Sequence, residues 1–384
     1  MIFDINYPTK VMVGVDATAK TGEKLKELGV TKALIVTDQN MKKFGVADRI
    51  IENIQAAGIA VVEYDKVLPD PPDTQVNEAG ELGRKEGVDG IVGIGGGSVL
   101  DSAKAINVLL TNPGNIQDYF GFGIPSKPGK PTVLIPTTAG TGADISVVSA
   151  ISDSRNGEKA PLFSPAIVPT LSIVDPLLTV SVPPSLTATT GVDTLMHAIE
   201  AYTSGTGNPM ADIISLEAIA LAGKNLKTAV LDGKDVDARY GMSFACTLAG
   251  MAITQAFTHL PHAVGTPIGT RYHIPHGNSV APLLPMCITY CAEIMPEKTR
   301  KIGQALGLEL AKELSAKEVG NIIAAYLRNL LKEIKIPSLK ELNIQEADLP
   351  AIAQDSFGNP CINFVPQAVT VEQILELLKT EYNA

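Results

Sequence analysis

Along the first half of the chain, short runs of apolar, largely β-branched residues alternate with longer stretches whose apolar positions recur every three or four residues. The runs 11–15 (VMVGV), 33–38 (ALIVTD), 60–65 (AVVEYD), 90–96 (GIVGIGG), 132–138 (TVLIPTT) and 171–175 (LSIVD) predict strands. The segments near 18–28, 41–57, 74–86 and 99–110 predict the helices between them. Such alternation implies a mainly parallel sheet flanked by helices. After Pro183 and Pro184 the strand pattern stops, and 184–203, 209–231, 237–257, 296–305, 315–334 and 371–381 all have helical spacing. Ser315 with Glu318, and Thr370 with Gln373, have the spacing of capping boxes and set two of those helix starts. The expected organisation is an α/β domain over 1–182 followed by an all-α domain over 183–384.

Chemistry concentrates in the second domain. All five histidines, His197, His259, His262, His273 and His276, fall between positions 197 and 276. In GVDTLMHAIEAY, Asp193 and His197 stand four residues apart and share one helix face with the apolar Val192, Leu195, Met196 and Ile199 around them. Alone, an acid and a histidine at that spacing more often make a surface or capping pair than half a metal site. Downstream, PHAVGTPIGTRYHIPHG carries more histidines in a segment broken by Gly265, Gly269, Gly277, Pro267 and Pro275, which reads as a loop able to bring two imidazoles to one point. One carboxylate and three imidazoles suit a divalent first-row transition metal, with room for a substrate oxygen.

Three places in the first domain point to a nucleotide. GIGGGSVLDSAKA (93–105) runs from a strand into three glycines, with Ser98 at the expected N-cap and Asp101 at the capping-box position of the next helix. Such a turn offers bare amides and a helix N-terminus to a pyrophosphate. In TTAGTGAD (137–144), Thr137, Thr138 and Thr141 supply hydroxyls, while Gly140 and Gly142 allow close backbone approach. Asp38 ends the strand ALIVTD, where its carboxylate would accept a ribose 2′-OH and repel a 2′-phosphate, favouring NAD over NADP.

The remaining composition excludes more than it adds. The net charge of −10 and the lack of any basic run argue against nucleic-acid and anionic-membrane partners. No window reaches the ~18 apolar residues of a membrane span, and the start, with its acidic Asp4, lacks a signal-peptide pattern, so the expected location is the cytoplasm. Cys246, Cys287, Cys291 and Cys361 show no CxxC spacing and are expected to be reduced thiols.

The segments IVDPLLTVSVPPSLTATTGVDTLMHAIEAY and PHAVGTPIGTRYHIPHGNSVAPLLP resemble the two signature regions of the iron-containing (group III) alcohol dehydrogenase family, and the likeness extends over almost the whole chain. The resemblance implies a Rossmann-like NAD-binding domain followed by a helical metal-binding domain. It also implies a metal-dependent, NAD-linked oxidoreductase interconverting a small alcohol and its aldehyde or ketone, assembled as a homodimer or higher homo-oligomer. By it the metal ligands are Asp193, His197, His262 and His276, holding Fe2+ or Zn2+; Gly95, Gly96, Gly97 and Ser98 receive the pyrophosphate, with Asp101 beside them. By it too, Thr137, Thr138 and Thr141 face the dinucleotide and Lys159 its ribose. Three positions depart from the family's pattern: Asp70 stands where Asn is common, Ala143-Asp144 where Ser-Glu is usual, and Thr266 where many members carry a proton-relay histidine. His273 is then the nearest substitute, and with His276 makes up the candidate catalytic histidines. Val148, Ser149, Phe257 and Arg271 are candidate pocket residues, Arg271 as a contact for an acidic substrate. A lyase of the dehydroquinate synthase type, which shares the fold, is the alternative.

Overall fold

The computed structural model describes residues 5–384 apart from Asn6, Pro8, Ser126 and Glu158; Asp4 lies outside the described residues. The chain divides into two compact units, one built mainly from Asn6–Thr138 and Gly142–Val180, the other from Ser181–Ala384 together with Ala139–Thr141.

In the first unit the elements follow in the order β1 (Lys10–Val13), α1 (Thr21–Glu27), β2 (Lys32–Val36), α2 (Gln39–Lys43), α3 (Val46–Ala56), β3 (Ala60–Tyr64), α4 (Asp73–Glu86), β4 (Gly90–Gly95) and α5 (Gly97–Thr111). Then come β5 (Gly121–Phe122), β6 (Thr132–Pro136), β7 (Val148–Ser152), β8 (Lys159–Phe163) and β9 (Leu171–Val174). Six strands form one parallel sheet in the order β1-β9-β6-β4-β2-β3. They are the six that the apolar runs predict. Alternate side chains feed two cores: Leu34, Val36, Ile91 and Leu134 pack with α4 and α5, while Ala33, Ile35, Val92, Ile94 and Val133 pack with residues of α1 and α3. Chain direction across the sheet reverses between β2 and β4, the switch point outside whose strand ends doubly wound sheets bind ligands.

Two local features differ from the sequence expectation. The stretch read as one helix over 41–57 is two, because Gly45 takes φ 67° and ends the first. A second sheet, β5-β8-β7, arises where no strand was expected. Its β7–β8 hairpin (VSAIS with KAPLF) pairs Ala150 with Pro161, so proline and the mixed polar pattern hide it from a period-2 reading.

The second unit contains α6 (Pro184–Thr203), α7 (Pro209–Leu231), α8 (Val236–Ala256), α9 (Leu260–Tyr272), α10 (His276–Val280) and α11 (Leu284–Ile294). It continues with α12 (Pro296–Ala305), α13 (Ala316–Glu333), α14 (Leu349–Phe357) and α15 (Val371–Asn383). Helix α6 runs through the middle, with Val192, Leu195, Met196 and Ile199 fully buried against α7, α8 and α11. The two capping boxes are present, Ser315 with Glu318 and Thr370 with Gln373.

The segment read as a loop between the downstream histidines is helix α9 as far as Tyr272, with Pro267 inside it, and only His273, Ile274 and Pro275 form a turn into α10. Gly265 and Gly269 do not break it; they lie one turn apart on the face that packs against α10 and the turn before it. A Cβ on Gly265 would collide with Val280 Cγ1 and lie 3.1 Å from Val280 Cα, and one on Gly269 would lie 3.1 Å from Ser279 Oγ. These glycines are present for close approach, not for flexibility.

Candidate metal centre and cofactor turn

Helix α6 presents Asp193, His197 and Glu200 at positions i, i+4 and i+7, a single stripe, all three buried. His262 is the third residue of α9, and His276 opens α10. Asp193 Oδ1 lies 3.6 Å from His197 Nε2, 3.5 Å from His262 Nε2 and 3.9 Å from His276 Nε2. The His197 and His262 rings stack at 4.9 Å, and His262 meets His276 at 5.4 Å. Donors with metal bonds of ~2.1 Å in a tetrahedron stand about 3.4 Å apart, so these three separations from Asp193 are of the size that the edges of a coordination shell would have.

Burial makes the point sharper. Asp193 Oδ1 and His262 Nε2 are buried with no hydrogen-bond partner, a costly arrangement unless an ion receives their lone pairs. Burial alone would raise the Asp193 pKa, but the imidazoles of His197, His276 and His262 outweigh it and hold the carboxyl well below its usual range. Burial drives His197 down towards its neutral, ligating form. The donor set and its orphaned atoms therefore fit the divalent metal expected from the sequence.

Glu200 escaped the sequence reading, although its three-residue spacing from His197 in an otherwise apolar stripe was a usable signal. Its Oε1 accepts the amides of His259 (3.0 Å) and His262 (3.2 Å), and its Oε2 bonds His262 Nδ1.

The other histidines separate cleanly. His259 Nδ1 accepts the Leu260 amide at 2.7 Å, so its proton sits on Nε2 and is donated to Thr203 Oγ1 at 2.9 Å. Burial lowers its pKa to about 4. Its ring comes within 4.8 Å of the Cys287 and Cys291 sulfurs, but with both nitrogens committed it has no lone pair for a second ion. Of the two candidate catalytic histidines, His276 joins the cluster. His273 is instead the exposed C-cap of α9 at φ 54°, and none of the contacts that join the cluster passes through it. Thr266 donates its hydroxyl to the His262 carbonyl one turn back, at 2.8 Å. Arg271 corrects the expectation of a pocket residue: its guanidinium pairs with Asp355 at 2.9 Å, the two side chains 37% and 50% exposed.

In the α/β unit the candidate cofactor residues follow the strand ends on both sides of the switch point. Asp38, after β2, caps α2 by accepting the amides of Asn40 (2.8 Å) and Met41 (3.0 Å), both on Oδ1. Its Oδ2 makes neither bond and is available to a ribose hydroxyl. After β4, the N-cap of α5 is Gly96 rather than Ser98, and no side chain caps this helix. The amides of Gly97 and Ser98 thus stand at the helix mouth beside Gly95 and Gly96, as an anion requires. Asp101 is not at that mouth. It accepts the Ala150 amide at 3.1 Å and pairs with the buried Lys104 at 3.2 Å, anchoring α5 to β7. Five residues into the helix, its side chain lies past the first turn that a capping box serves.

Thr137 is buried and its amide continues the β4–β6 pairing through Gly95 O (3.0 Å), while Thr138 lies over Gly96. Thr141 belongs with the Ala139–Thr141 segment of the other unit, where Gly140 donates to Cys246 Sγ at 3.1 Å. Lys159, first residue of β8, pairs with Asp70 at 2.6 Å, both exposed. Ser149 is fully buried with its hydroxyl on the Asp101 carbonyl, which makes it a framework residue. Phe257, at φ 63°, stacks on Phe364 at 4.3 Å.

Comparison with known proteins agrees with this geometry in both halves. Residues 8–176 match the family model described as "Iron-containing alcohol dehydrogenase", and 187–382 match "Fe-containing alcohol dehydrogenase family, C-terminal". The chain is 37% identical to the 1,3-propanediol dehydrogenase of Citrobacter freundii, over 94% of this chain and 95% of that one. It is 35% identical to the NAD-dependent methanol dehydrogenase of Bacillus methanolicus, over 97% and 98%. A solved 1,3-propanediol oxidoreductase superposes with a TM-score of 0.95 at 34% identity, covering 99% of this chain and 100% of that one. The chain belongs to the iron-containing alcohol dehydrogenase family and is an NAD-dependent oxidoreductase of alcohols and their carbonyl counterparts.

Proposed function

We propose that the protein transfers hydride between NAD and a small aliphatic alcohol or its aldehyde, with Asp193, His197, His262 and His276 holding one divalent metal ion, ferrous iron before zinc. The observation that carries this reading is the cluster of the buried Asp193, His197 and His262 with the half-exposed His276, in which Asp193 Oδ1 and His262 Nε2 are orphaned. Such an ion, when bound, supplies Lewis acidity towards an alcohol or carbonyl oxygen. The chain supplies the rest. Asp193 and His197 are set by one rigid buried helix, and His262 by Glu200. The amides at the α5 mouth bind pyrophosphate, Asp38 Oδ2 accepts the adenosine ribose 2′-OH, and Lys159 reaches the second ribose from the rim. Thr266 donates its hydroxyl to the His262 carbonyl, so that proton is not free to serve a relay.

Small alcohols are favoured because the relatives named above act on methanol and 1,3-propanediol. Their being dehydrogenases also favours net redox over the cyclase alternative. All four cysteines are free thiols, in keeping with a cytoplasmic enzyme, and we assign a homodimer or larger homo-oligomer. Among the described residues no helix is long and apolar enough to cross a membrane. The test is Asp193→Ala and His262→Ala: metal content and NADH-linked aldehyde reduction are lost together, while NADH binding measured by titration calorimetry stays at the parent's affinity. Metal content equal to the parent's in either variant refutes the ligand assignment.

A further inference from the structure

Glu200 is fully buried, and among the described residues no lysine or arginine is bonded to it. Its partners are instead two backbone amides and one imidazole, all from the start of α9. Both oxygens are spent on the same short stretch of chain. Oε1 takes the amides of the N-cap residue His259 and of His262, two of the donors that a helix start leaves without internal partners. Oε2 takes the ring of His262 at Nδ1. With a metal drawing on the Nε2 lone pair, the ring's proton is on Nδ1, where Glu200 Oε2 is placed to accept it. Nε2 is the buried atom without a partner, 3.5 Å from Asp193 Oδ1.

We propose that Glu200 is the positioning residue of the metal centre: it fixes the tautomer and rotation of His262, binds the start of α9 to α6, and thereby sets how tightly the ion is held. This rests on the metal reading above. Carboxylates behind ligating imidazoles orient the ring and raise its basicity, and their loss typically weakens metal binding 10–100-fold. Glu200 differs from a simple orienting group in also holding the amide of the residue it orients, so the ring and its backbone cannot drift independently. The competing explanation is that Glu200 merely caps α9.

The two accounts separate in Glu200→Gln. Glutamine keeps an oxygen for the two amides but replaces the anion at Nδ1 with a neutral group. Metal-free parent and variant are titrated with Zn2+ against a chromophoric chelator, and their urea midpoints are compared without metal. Positioning predicts Zn2+ binding weakened about 10–100-fold with a metal-free midpoint close to the parent's. Capping alone predicts affinity within twofold of the parent's, which overturns the proposal. Because the chain has only five histidines, 15N-histidine labelling of the zinc-loaded parent gives a second, mutation-free readout. His262 should show a protonated, strongly hydrogen-bonded Nδ1 and a zinc-shifted Nε2. Zinc on Nδ1 overturns the proposal even if the variant fails to fold. A parent that binds no zinc, or whose His197, His262 and His276 signals do not move with it, refutes instead the metal reading on which the proposal stands.

Discussion

Gly265→Ala tests whether the packing of two helices places the last ligand. Gly265 lies in α9, three residues after His262, and the added Cβ would overlap Val280 Cγ1 and press on Val280 Cα at 3.1 Å. Val280 is 0% exposed and β-branched, so its side chain has no rotamer into which to retreat. The strain is then relieved by moving α10, which begins with His276. Overpacking of this kind costs roughly 1–3 kcal/mol. Against it, alanine in a helix interior is favoured over glycine by roughly 0.8–1.0 kcal/mol. The two nearly offset, and the net loss of stability should be only about 0–2 kcal/mol. The metal centre is less tolerant. His276 Nε2 is already the farthest from Asp193 Oδ1, at 3.9 Å against 3.5 and 3.6 Å for the other two, and sites lose function when ligands stray by about 0.5 Å. The expected signature is a nearly unchanged urea midpoint of the metal-free protein with bound metal lost to excess EDTA at least ten times faster than from the parent, a factor within the usual range for disturbed ligand support. A variant more stable by about 1 kcal/mol, the bare helix-propensity gain, with unchanged metal retention would show that the Gly265 face does not place His276.

Other substitutions probe separate parts of the site. Asp38→Gly should raise the NADPH/NADH ratio of kcat/KM without unfolding α2, since glycine is a tolerable N-cap costing only a few tenths of a kcal/mol; a parent that already uses both cofactors equally would contradict the role of Asp38. His259 is held neutral with its pKa depressed from 6.5 to about 4, so its contribution to stability is complete above pH 6.5 and declines as pH falls towards 4, where the unfolded chain binds a proton that the fold excludes. Metal-free parent should therefore lose up to about 3 kcal/mol more than His259→Asn across that window in urea melts, and parallel losses would show that His259 is not the group responsible. For Arg271→Leu, the preference between a short aldehyde acid and its uncharged analogue should be unchanged; a selective drop in kcat/KM for the acid would place the guanidinium at the substrate after all.

How much was legible beforehand depended on whether burial was one-sided. The six parallel strands, buried on both faces, are apolar throughout, and helices such as α13 and α15 keep a polar face that preserves the 3.6-residue period. Helix α11 is apolar nearly all round, and its period disappears. Helix α9 was hidden by the residues that allow it to pack: glycines that admit α10 and a proline inside the helix imitate a loop when only the sequence is visible. Asp193 and His197 stood out by their spacing and by the crowding of all five histidines into 197–276, whereas the choice of His262 and His276 among the later ones came from the family resemblance. Glu200 did not, because a glutamate in a helix is too ordinary to attract notice until its burial is known. Arg271, whose nearness in sequence to His276 left both a substrate contact and a solvent-facing side chain open, faces out to Asp355, since sequence distance from a ligand says nothing about which way a helical side chain points.

The position of the centre also bears on cohesion. Asp193 and His276 are 83 residues apart (276 − 193), and the chain between them carries α7, α8 and α9. No disulfide joins any part of the protein. On the proposed ligand set, an ion held by α6, α9 and α10 would be the nearest thing this molecule has to a covalent staple, and it would clamp only the folded chain. Metal starvation would accordingly do more than silence the reaction: it would loosen the stretch from His259 to Val280 and offer it to proteases, so that the cellular lifetime of the enzyme follows the metal supply.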